Sequence, residues 1–132
     1  MPHAGAQIRK LGQVAVTVRD PERARAFYRD VLGLVHLFDA PPALSFFDCG
    51  GVRLMLAVPD PGEFDHPTSL LYLDVESIET ARDVLESRGV HFDRAPEPVA
   101  ELGERTLWLA FFRDSEGNLL GLMSEVPRTQ DA

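Results

Sequence analysis

The stretch Gln13-Val-Ala-Val-Thr-Val18 decides how the rest of the chain is organised. Its three valines alternate with Gln13, Ala15 and Thr17, and a period of two is typical of a half-buried strand. The valine face can pack against a helix, whereas the Gln13 face is mildly polar, as the wall of a pocket is. Whether Gln13 has chemical partners therefore separates an enzyme from a binding protein.

A helix is predicted directly after this strand. Asp20 is suited to the N-cap and Pro21 to the first helical position. Apolar residues recur at helical spacing as far as Leu32, and Gly33 is predicted to end the helix in the left-handed conformation. Three strands, predicted at 34–38, 43–49 and 52–58, complete a β-α-β-β-β unit.

The same pattern restarts after a proline-rich stretch at 59–68. A strand is predicted at 70–75, then a helix capped by Ser77 and ended by Gly89, then strands at 90–94, 105–112 and 118–126, with a loop at 96–103. A shift of 57 residues places Val18 on Val75, which indicates an internal duplication. We expect one domain over residues 1–132, made of two modules at about 8–58 and 69–126.

Composition narrows the possible partners. The 132 residues are 45% apolar, and 13 Lys and Arg stand against 21 Asp and Glu, a net charge of −8. This excess of acidic residues argues against nucleic-acid and anionic-membrane partners and suits a neutral or cationic ligand. A requirement for solubility alone can also account for the net charge. A single cysteine, Cys49, excludes an internal disulfide and a thiolate metal cluster. With no apolar run that could span a bilayer and no signal peptide, we expect a cytoplasmic protein.

Three motifs resemble those of the vicinal oxygen chelate superfamily, which includes glyoxalase I, bleomycin resistance proteins and extradiol dioxygenases. They are QVAVTVRD at 13–20, AFYRDVLGL at 26–34, and FRDSEGNL at 112–119, in which Ser115 replaces the usual proline. The resemblance implies an α+β fold in which two β-α-β-β-β modules form a curved mixed sheet around a cleft. It also implies a homodimer.

In metal-using members of that superfamily, four strand positions supply the ligands. By the resemblance they fall on Gln13, Met55, Leu70 and Gly121. Hard divalent cations prefer carboxylate and imidazole ligands. These four positions offer instead, in the same order, an amide, a thioether, an isobutyl group and a hydrogen, which do not make such a site. We therefore expect no metal, no cofactor and no catalytic residue, and we expect Gly121 to open volume in the cleft.

The predicted ligand pocket consists of residues on the Gln13 side of the strands. These are Gln13, Arg53, Met55, Leu70, Tyr72, Trp108, Gly121 and Met123. Arg53 could form a structural ion pair with Asp74 or orient a polar ligand, and Trp108 could be a core residue or a stacking wall.

Four other residues could in principle rebuild a site. His36 and His91 occupy equivalent places in the two halves and could face each other, or be partly exposed strand residues. His66 and Glu125 would reach the lost ligand positions only if the alignment drifted by four residues, so we expect both at the surface.

The favoured function is a metal-free small-molecule-binding protein of the glyoxalase/bleomycin resistance type, holding a neutral or cationic ligand in the cleft. The alternative is a divalent-metal-dependent lyase, isomerase or dioxygenase of the same superfamily with a relocated site. A structural module with a vestigial cleft is the third possibility.

Overall fold

A computed structural model describes residues 6–59, 62 and 67–128. The elements in chain order are β1 (Gln13–Thr17), α1 (Pro21–Ala26), a π-helical continuation of α1 (Phe27–Val31), β2 (Val35–Ala40), β3 (Leu44–Cys49), β4 (Val52–Ala57), β5 (Leu71–Asp74), α2 (Ile78–Ser87), β6 (Phe92–Leu102), β7 (Arg105–Arg113) and β8 (Leu119–Pro127).

The strands form two four-stranded sheets with the same topology. Sheet 1 has the order β1-β4-β3-β2 and sheet 2 the order β5-β8-β7-β6. The parallel pairs are β1 with β4 and β5 with β8. Ala15 lies opposite Met55 in sheet 1 and Tyr72 opposite Gly121 in sheet 2, so the register also repeats. The predicted α+β fold of paired β-α-β-β-β units is confirmed.

The helix boundaries agree with the predicted caps. The Asp20 side chain accepts from the Arg23 amide at 3.1 Å, and the Ser77 hydroxyl accepts from the Thr80 amide at 3.3 Å. Gly33 and Gly89 have φ of +77° and +94°, the left-handed conformation that glycine adopts at low cost. None of the helices in the described ranges is long and apolar enough to cross a membrane.

The core lies on the helix side of both sheets. One cluster of buried residues surrounds Tyr28 and Phe47, and a second surrounds Leu85 and Phe112. Phe27, Leu32 and Leu71 pack against both clusters. The apolar cores of the two modules are therefore continuous, and the other face of each sheet is left open.

The predicted loop at 96–103 is wrong, because most of it belongs to β6. Two prolines, Pro96 and Pro98, lie within β6. β6 is the edge strand of sheet 2, and its pairing with β7 contains several register shifts. An edge strand with bulges tolerates proline, since the missing N–H is not needed by a neighbouring strand.

The turn between β7 and β8 joins the modules through a buried carboxylate. Asp114 is 6% exposed and accepts hydrogen bonds from the Tyr28 hydroxyl at 2.7 Å and from the amides of Glu116 and Asn118 at 2.8 Å. Burial raises the pKa of Tyr28, and the adjacent Asp114 carboxylate raises it further. The phenol therefore remains a proton donor to Asp114.

A second carboxylate of the same turn caps the start of α1. Glu116 accepts from the amides of Arg19 and Asp20, both at 2.9 Å, and pairs with the Arg23 guanidinium at 2.8 Å. The hydrogen bond from Arg23 is the largest cause that lowers the pKa of Glu116 to about 2. Asn118 adds a hydrogen bond from its amide nitrogen to the Thr17 carbonyl at 2.9 Å. We call this set of contacts the filled junction.

Candidate functional site

Three of the predicted site residues meet on the open face of sheet 1. The Arg53 Nε donates to the Gln13 Oε1 at 2.8 Å, and the Gln13 Nε2 lies 3.6 Å from the Met55 sulfur. The parallel pairing of β1 with β4 brings them together, because it sets Gln13 directly opposite Arg53. Both ends of the Gln13 amide are thus engaged by neighbouring side chains.

An aromatic platform adjoins this group, and the sequence interpretation missed it. The rings of Phe38 and Phe46 stack with centroids 4.6 Å apart, and the Arg53 guanidinium lies 5.0 Å from the Phe46 centroid, within the range of a cation–π contact. Phe46 lies opposite Met55, so strand alternation could have placed it on this face. Phe38 could not be placed, since a bulge in β2 shifts its register.

Tyr72 covers Gly121 on the open face of sheet 2. A Cβ atom added at Gly121 would lie 2.7 Å from a Tyr72 ring carbon, far inside van der Waals contact. The Phe111 ring meets Tyr72 edge-on with centroids 6.0 Å apart. The expectation that Gly121 opens volume in the cleft is therefore wrong, because the Tyr72 ring occupies the space that a longer side chain would have used.

Leu70 and Met123 complete the predicted residues on sheet 2. Leu70 precedes β5 and is 40% exposed, and Met123 lies opposite Asp74. Among the described residues, no hydrogen bond, ion pair or ring contact joins the group around Gln13 to the group around Tyr72. The structure thus places the predicted pocket residues in two groups, one on each sheet.

Trp108 lies on the other side of sheet 2. It pairs with Ser124, whose hydroxyl donates to the Glu76 carbonyl, and it packs against the core cluster under α2. Its position in the alternation of β7 is that of the buried Ala110 and Phe112. Trp108 is therefore a partly buried core residue, and its assignment to the predicted pocket face is corrected.

The possible substitutes for lost ligands do not assemble into a site. The His36 Nε2 lies 2.8 Å from an Asp39 oxygen, a hydrogen bond that is the largest cause lowering the pKa of Asp39. His91 is exposed. Arg53 pairs with Gln13 rather than with Asp74. Glu125 is exposed, as expected.

The residues present do not fit a divalent metal at the positions that the resemblance implied. The Gln13 oxygen accepts from a guanidinium, so a cation bound to it would also touch a fixed positive charge. Within the described ranges, no three or more His, Cys, Asp or Glu side chains are grouped so that they could hold a metal. His66 lies outside the described residues.

Residues 10–122 match the family model described as the Glyoxalase/Bleomycin resistance protein/Dioxygenase superfamily. The chain belongs to this superfamily. The predicted resemblance is therefore confirmed, and the duplicated sheets with open faces are the superfamily's fold in this chain.

Solved structures of the superfamily are similar over nearly the whole chain. A superfamily member from Sphaerobacter thermophilus DSM 20745 is 24% identical, with 89% of this chain and 98% of that one covered and a TM-score of 0.75. TnmS3, described as an antibiotic binding protein from Streptomyces sp. CB03234, is 26% identical, with 94% and 100% covered and a TM-score of 0.72.

Lactoylglutathione lyase from Agrobacterium tumefaciens is 20% identical, with 92% and 96% covered and a TM-score of 0.67, a likeness that shows the fold alone. No curated protein is a significant match to the sequence.

Proposed function

We propose that this chain is a small-molecule-binding protein that works without a divalent metal and holds a neutral or cationic ligand on its open sheet faces. The ligand contacts would come from Gln13, Arg53 and Met55 on sheet 1 and from Tyr72 on sheet 2, with Leu70, Gly121 and Met123 beside it. We assign no catalytic residue and no cofactor.

The engagement of Gln13 by Arg53 is the observation that carries this proposal. Of the four superfamily ligand positions, Gln13 alone keeps an oxygen that could bind a metal. That oxygen accepts a hydrogen bond from Arg53 at 2.8 Å. A divalent cation at the same oxygen would need to displace a guanidinium that also lies over the Phe46 ring. A polar ligand group can instead exchange hydrogen bonds with the amide and the guanidinium.

The chemistry of the open faces supports a flat, aromatic ligand. Stacked Phe38 and Phe46 rings on sheet 1 and the 45% exposed Tyr72 on sheet 2 offer surfaces for a planar ring system. The net charge of −8 attracts cations at long range. Arg53 repels them locally, so a neutral ligand is favoured beside Gln13. The similarity to TnmS3, an antibiotic binding protein, supports the same class of function.

Metal analysis of the purified protein tests the metal-free part. After dialysis against Mn²⁺, Ni²⁺ and Zn²⁺ in turn, we expect far less than one ion per chain. Gln7→Ala, which removes an exposed amide outside the sheets, is the matched control for Gln13→Ala. One ion per chain that is lost in Gln13→Ala and kept in Gln7→Ala would overturn the proposal in favour of the metal-dependent lyase, isomerase or dioxygenase.

A thermal-shift screen with planar aromatic antibiotics and metabolites, in matched neutral and cationic forms, tests the binding part. A ligand of the native state raises the melting temperature by mass action. We expect the shift to shrink in Arg53→Met and to persist in Arg29→Met, because Arg29 pairs only with its neighbour Asp30 among the described residues. Equal loss of the shift in both variants would place binding elsewhere.

We also propose that two copies associate. Large apolar side chains on β2, the edge strand of sheet 1, remain exposed in the single chain, among them Val35 at 62% and Leu37 at 44%. A second copy would remove them from water, and a two-fold dimer is the commonest closed assembly. Light scattering on the purified protein is expected to give twice the chain mass, and a monomer at all concentrations would contradict this.

A further inference from the structure

A groove of about 670 Å³ lies between the two modules on the helix side of sheet 2. Its walls are mainly aliphatic, with contributions from α2, from β5 and from the residues that follow α1. The main wall residues are Leu32, Leu34, Leu73, Val75, Val84 and Leu85. Its volume falls within the range of about 300–1,000 Å³ that is usual for small-molecule sites.

The duplication shows that this groove is the counterpart of the filled junction. Phe47 lies opposite Leu54 and Phe112 opposite Leu120, so Cys49 occupies the place of Asp114. The shift of 57 residues likewise puts Leu85 in the place of Tyr28. The hydroxyl and carboxylate that meet in the filled junction are therefore replaced by an isobutyl group and a thiol.

The turn between β3 and β4, which borders the groove, is also shorter than the turn between β7 and β8. Cys49 pairs with Val52, so that only Gly50 and Gly51 connect β3 to β4, whereas residues 114–118 connect β7 to β8. Neither glycine has a side chain that could reach α2 as Glu116 reaches α1. The space occupied in one half by an aromatic ring and a carboxylate turn is open in the other.

Arg88 supplies a positive charge at this groove. It directly follows α2, where its counterpart in the first half is Leu32, and one of its terminal nitrogens donates to the Val31 carbonyl at 2.8 Å. Its other N–H groups have no partner among the described residues and can take a carboxylate in a paired geometry. Asp74 borders the groove at the edge of β5 and would repel a carboxylate from that end.

We propose that the groove is a second binding site, for a small aromatic carboxylate. The ring lies against Val84, Leu85 and Leu34, in the place that the Tyr28 ring fills in the other half, and the carboxylate pairs with Arg88. This site goes beyond the proposed function, because it lies on the helix side of the sheet and does not use Gln13, Arg53 or the Phe38–Phe46 platform; Tyr72 alone borders both sites.

The probe is 2-naphthoate, compared with its neutral amide, 2-naphthamide, and with 2-naphthylmethylammonium. Calorimetry on the full chain is expected to give one naphthoate per chain and about tenfold or greater preference over both comparison compounds. Because Cys49 is the only cysteine and lines the groove, bound naphthoate is also expected to slow its alkylation by iodoacetamide. Equal binding of the amide would overturn the carboxylate assignment.

Two variants locate the site. Val84→Trp fills the groove from a position that is 39% exposed, and Arg88→Gln removes the charge; each is expected to weaken naphthoate binding about tenfold or more. Arg82→Gln, on the same helix but paired with Glu79 outside the groove, is expected to leave binding unchanged. Unchanged alkylation of Cys49, or equal affinity in Val84→Trp and the native chain, would overturn the proposal. Arg53→Gln is expected to affect the open-face ligand alone, so the two proposals can fail separately.

Discussion

The two junctions between the modules occupy equivalent places in a duplicated fold, yet one is filled by the protein and the other is open. In the filled junction, Asp114 accepts a hydrogen bond from the Tyr28 hydroxyl, and Glu116 accepts from the two backbone amides that precede α1. In the groove, Leu85 and Cys49 make no such bond. The open junction differs from the filled one by a shorter turn and by two side chains, so the same place in this duplicated fold can hold a structural contact or an accessible cavity.

Removing the carboxylate at the centre of the filled junction is expected to have the largest effect. Asp114→Ala leaves the Tyr28 hydroxyl and the backbone amides of Glu116 and Asn118 without their acceptor, whereas the Asn118 side-chain nitrogen keeps the Thr17 carbonyl. Each buried donor left unpaired costs about 1–3 kcal/mol. We expect the free energy of unfolding in urea to fall by roughly 3–5 kcal/mol, a loss in the upper range for single substitutions.

Cys49→Ala is the matched control in the open junction. It removes a half-buried thiol beside a cavity, so we expect a loss within about 1 kcal/mol. Similar losses in Asp114→Ala and Cys49→Ala would mean that the two junctions do not differ in the way described.

Glu116 is expected to make the filled junction sensitive to acid. Its folded pKa is about 2 and its ordinary value is 4.5. The unfolded chain therefore takes up the proton first as the pH falls. The stabilisation is present above about pH 4.5 and is lost between there and pH 2.

Glu116→Gln is expected to be roughly 2 kcal/mol less stable than the native chain at pH 7, an upper value because Arg23 is half exposed. It should also lose less stability between pH 4.5 and pH 2. Glu22→Gln, at an exposed position in the first turn of α1, serves as the control. An unchanged acid profile in Glu116→Gln would contradict the assignment.

The open faces can be compared in the same way, because Gly121 and Met55 occupy equivalent positions. Gly121→Ala forces a methyl group to within 2.7 Å of the Tyr72 ring, and overpacking of this kind costs about 1–3 kcal/mol. Half exposure of Tyr72 allows some movement, so we expect the lower end of that range. Thermal unfolding of the double variant with Tyr72→Ala should show most of the loss restored; an additive loss would refute the steric cause.

Rebuilding the missing contact in the groove is expected to have the smallest effect. Leu85→Tyr together with Cys49→Asp places a phenol and a carboxylate where Tyr28 and Asp114 stand in the other half. We expect a favourable coupling of about 1 kcal/mol between the two changes in a double-mutant cycle. The double variant should also lose 2-naphthoate binding. Zero coupling would show that the turn, rather than these side chains, keeps the groove open.

Local signals in the sequence predicted much of the fold. Cap residues such as Asp20 and Ser77, and glycines such as Gly33, act within a few residues of their position, so their effect can be read directly. Strand alternation separated the open face from the core at Gln13 and Met55. The same rule could not place Trp108, because the side chains on both faces of β7 are apolar.

Features that depend on distant partners could not be predicted. The bond between Arg53 and Gln13 joins residues 40 positions apart and requires the knowledge that β1 pairs with β4. The position of Tyr72 over Gly121 depends on a rotamer, which no periodicity encodes. Edge location, which allowed prolines in β6, is a property of the whole sheet. The groove is defined by a turn too short to fill it, and the motif at 112–119 gave no hint of that difference.

The ring of Tyr72 over Gly121 constrains the order in which substitutions can accumulate on this face. A glutamate at position 121 would meet the ring at its first side-chain carbon, so the ring must move aside or residue 72 must become smaller to admit it. Designing a metal site on this face would therefore begin at position 72, which is not one of the four ligand positions.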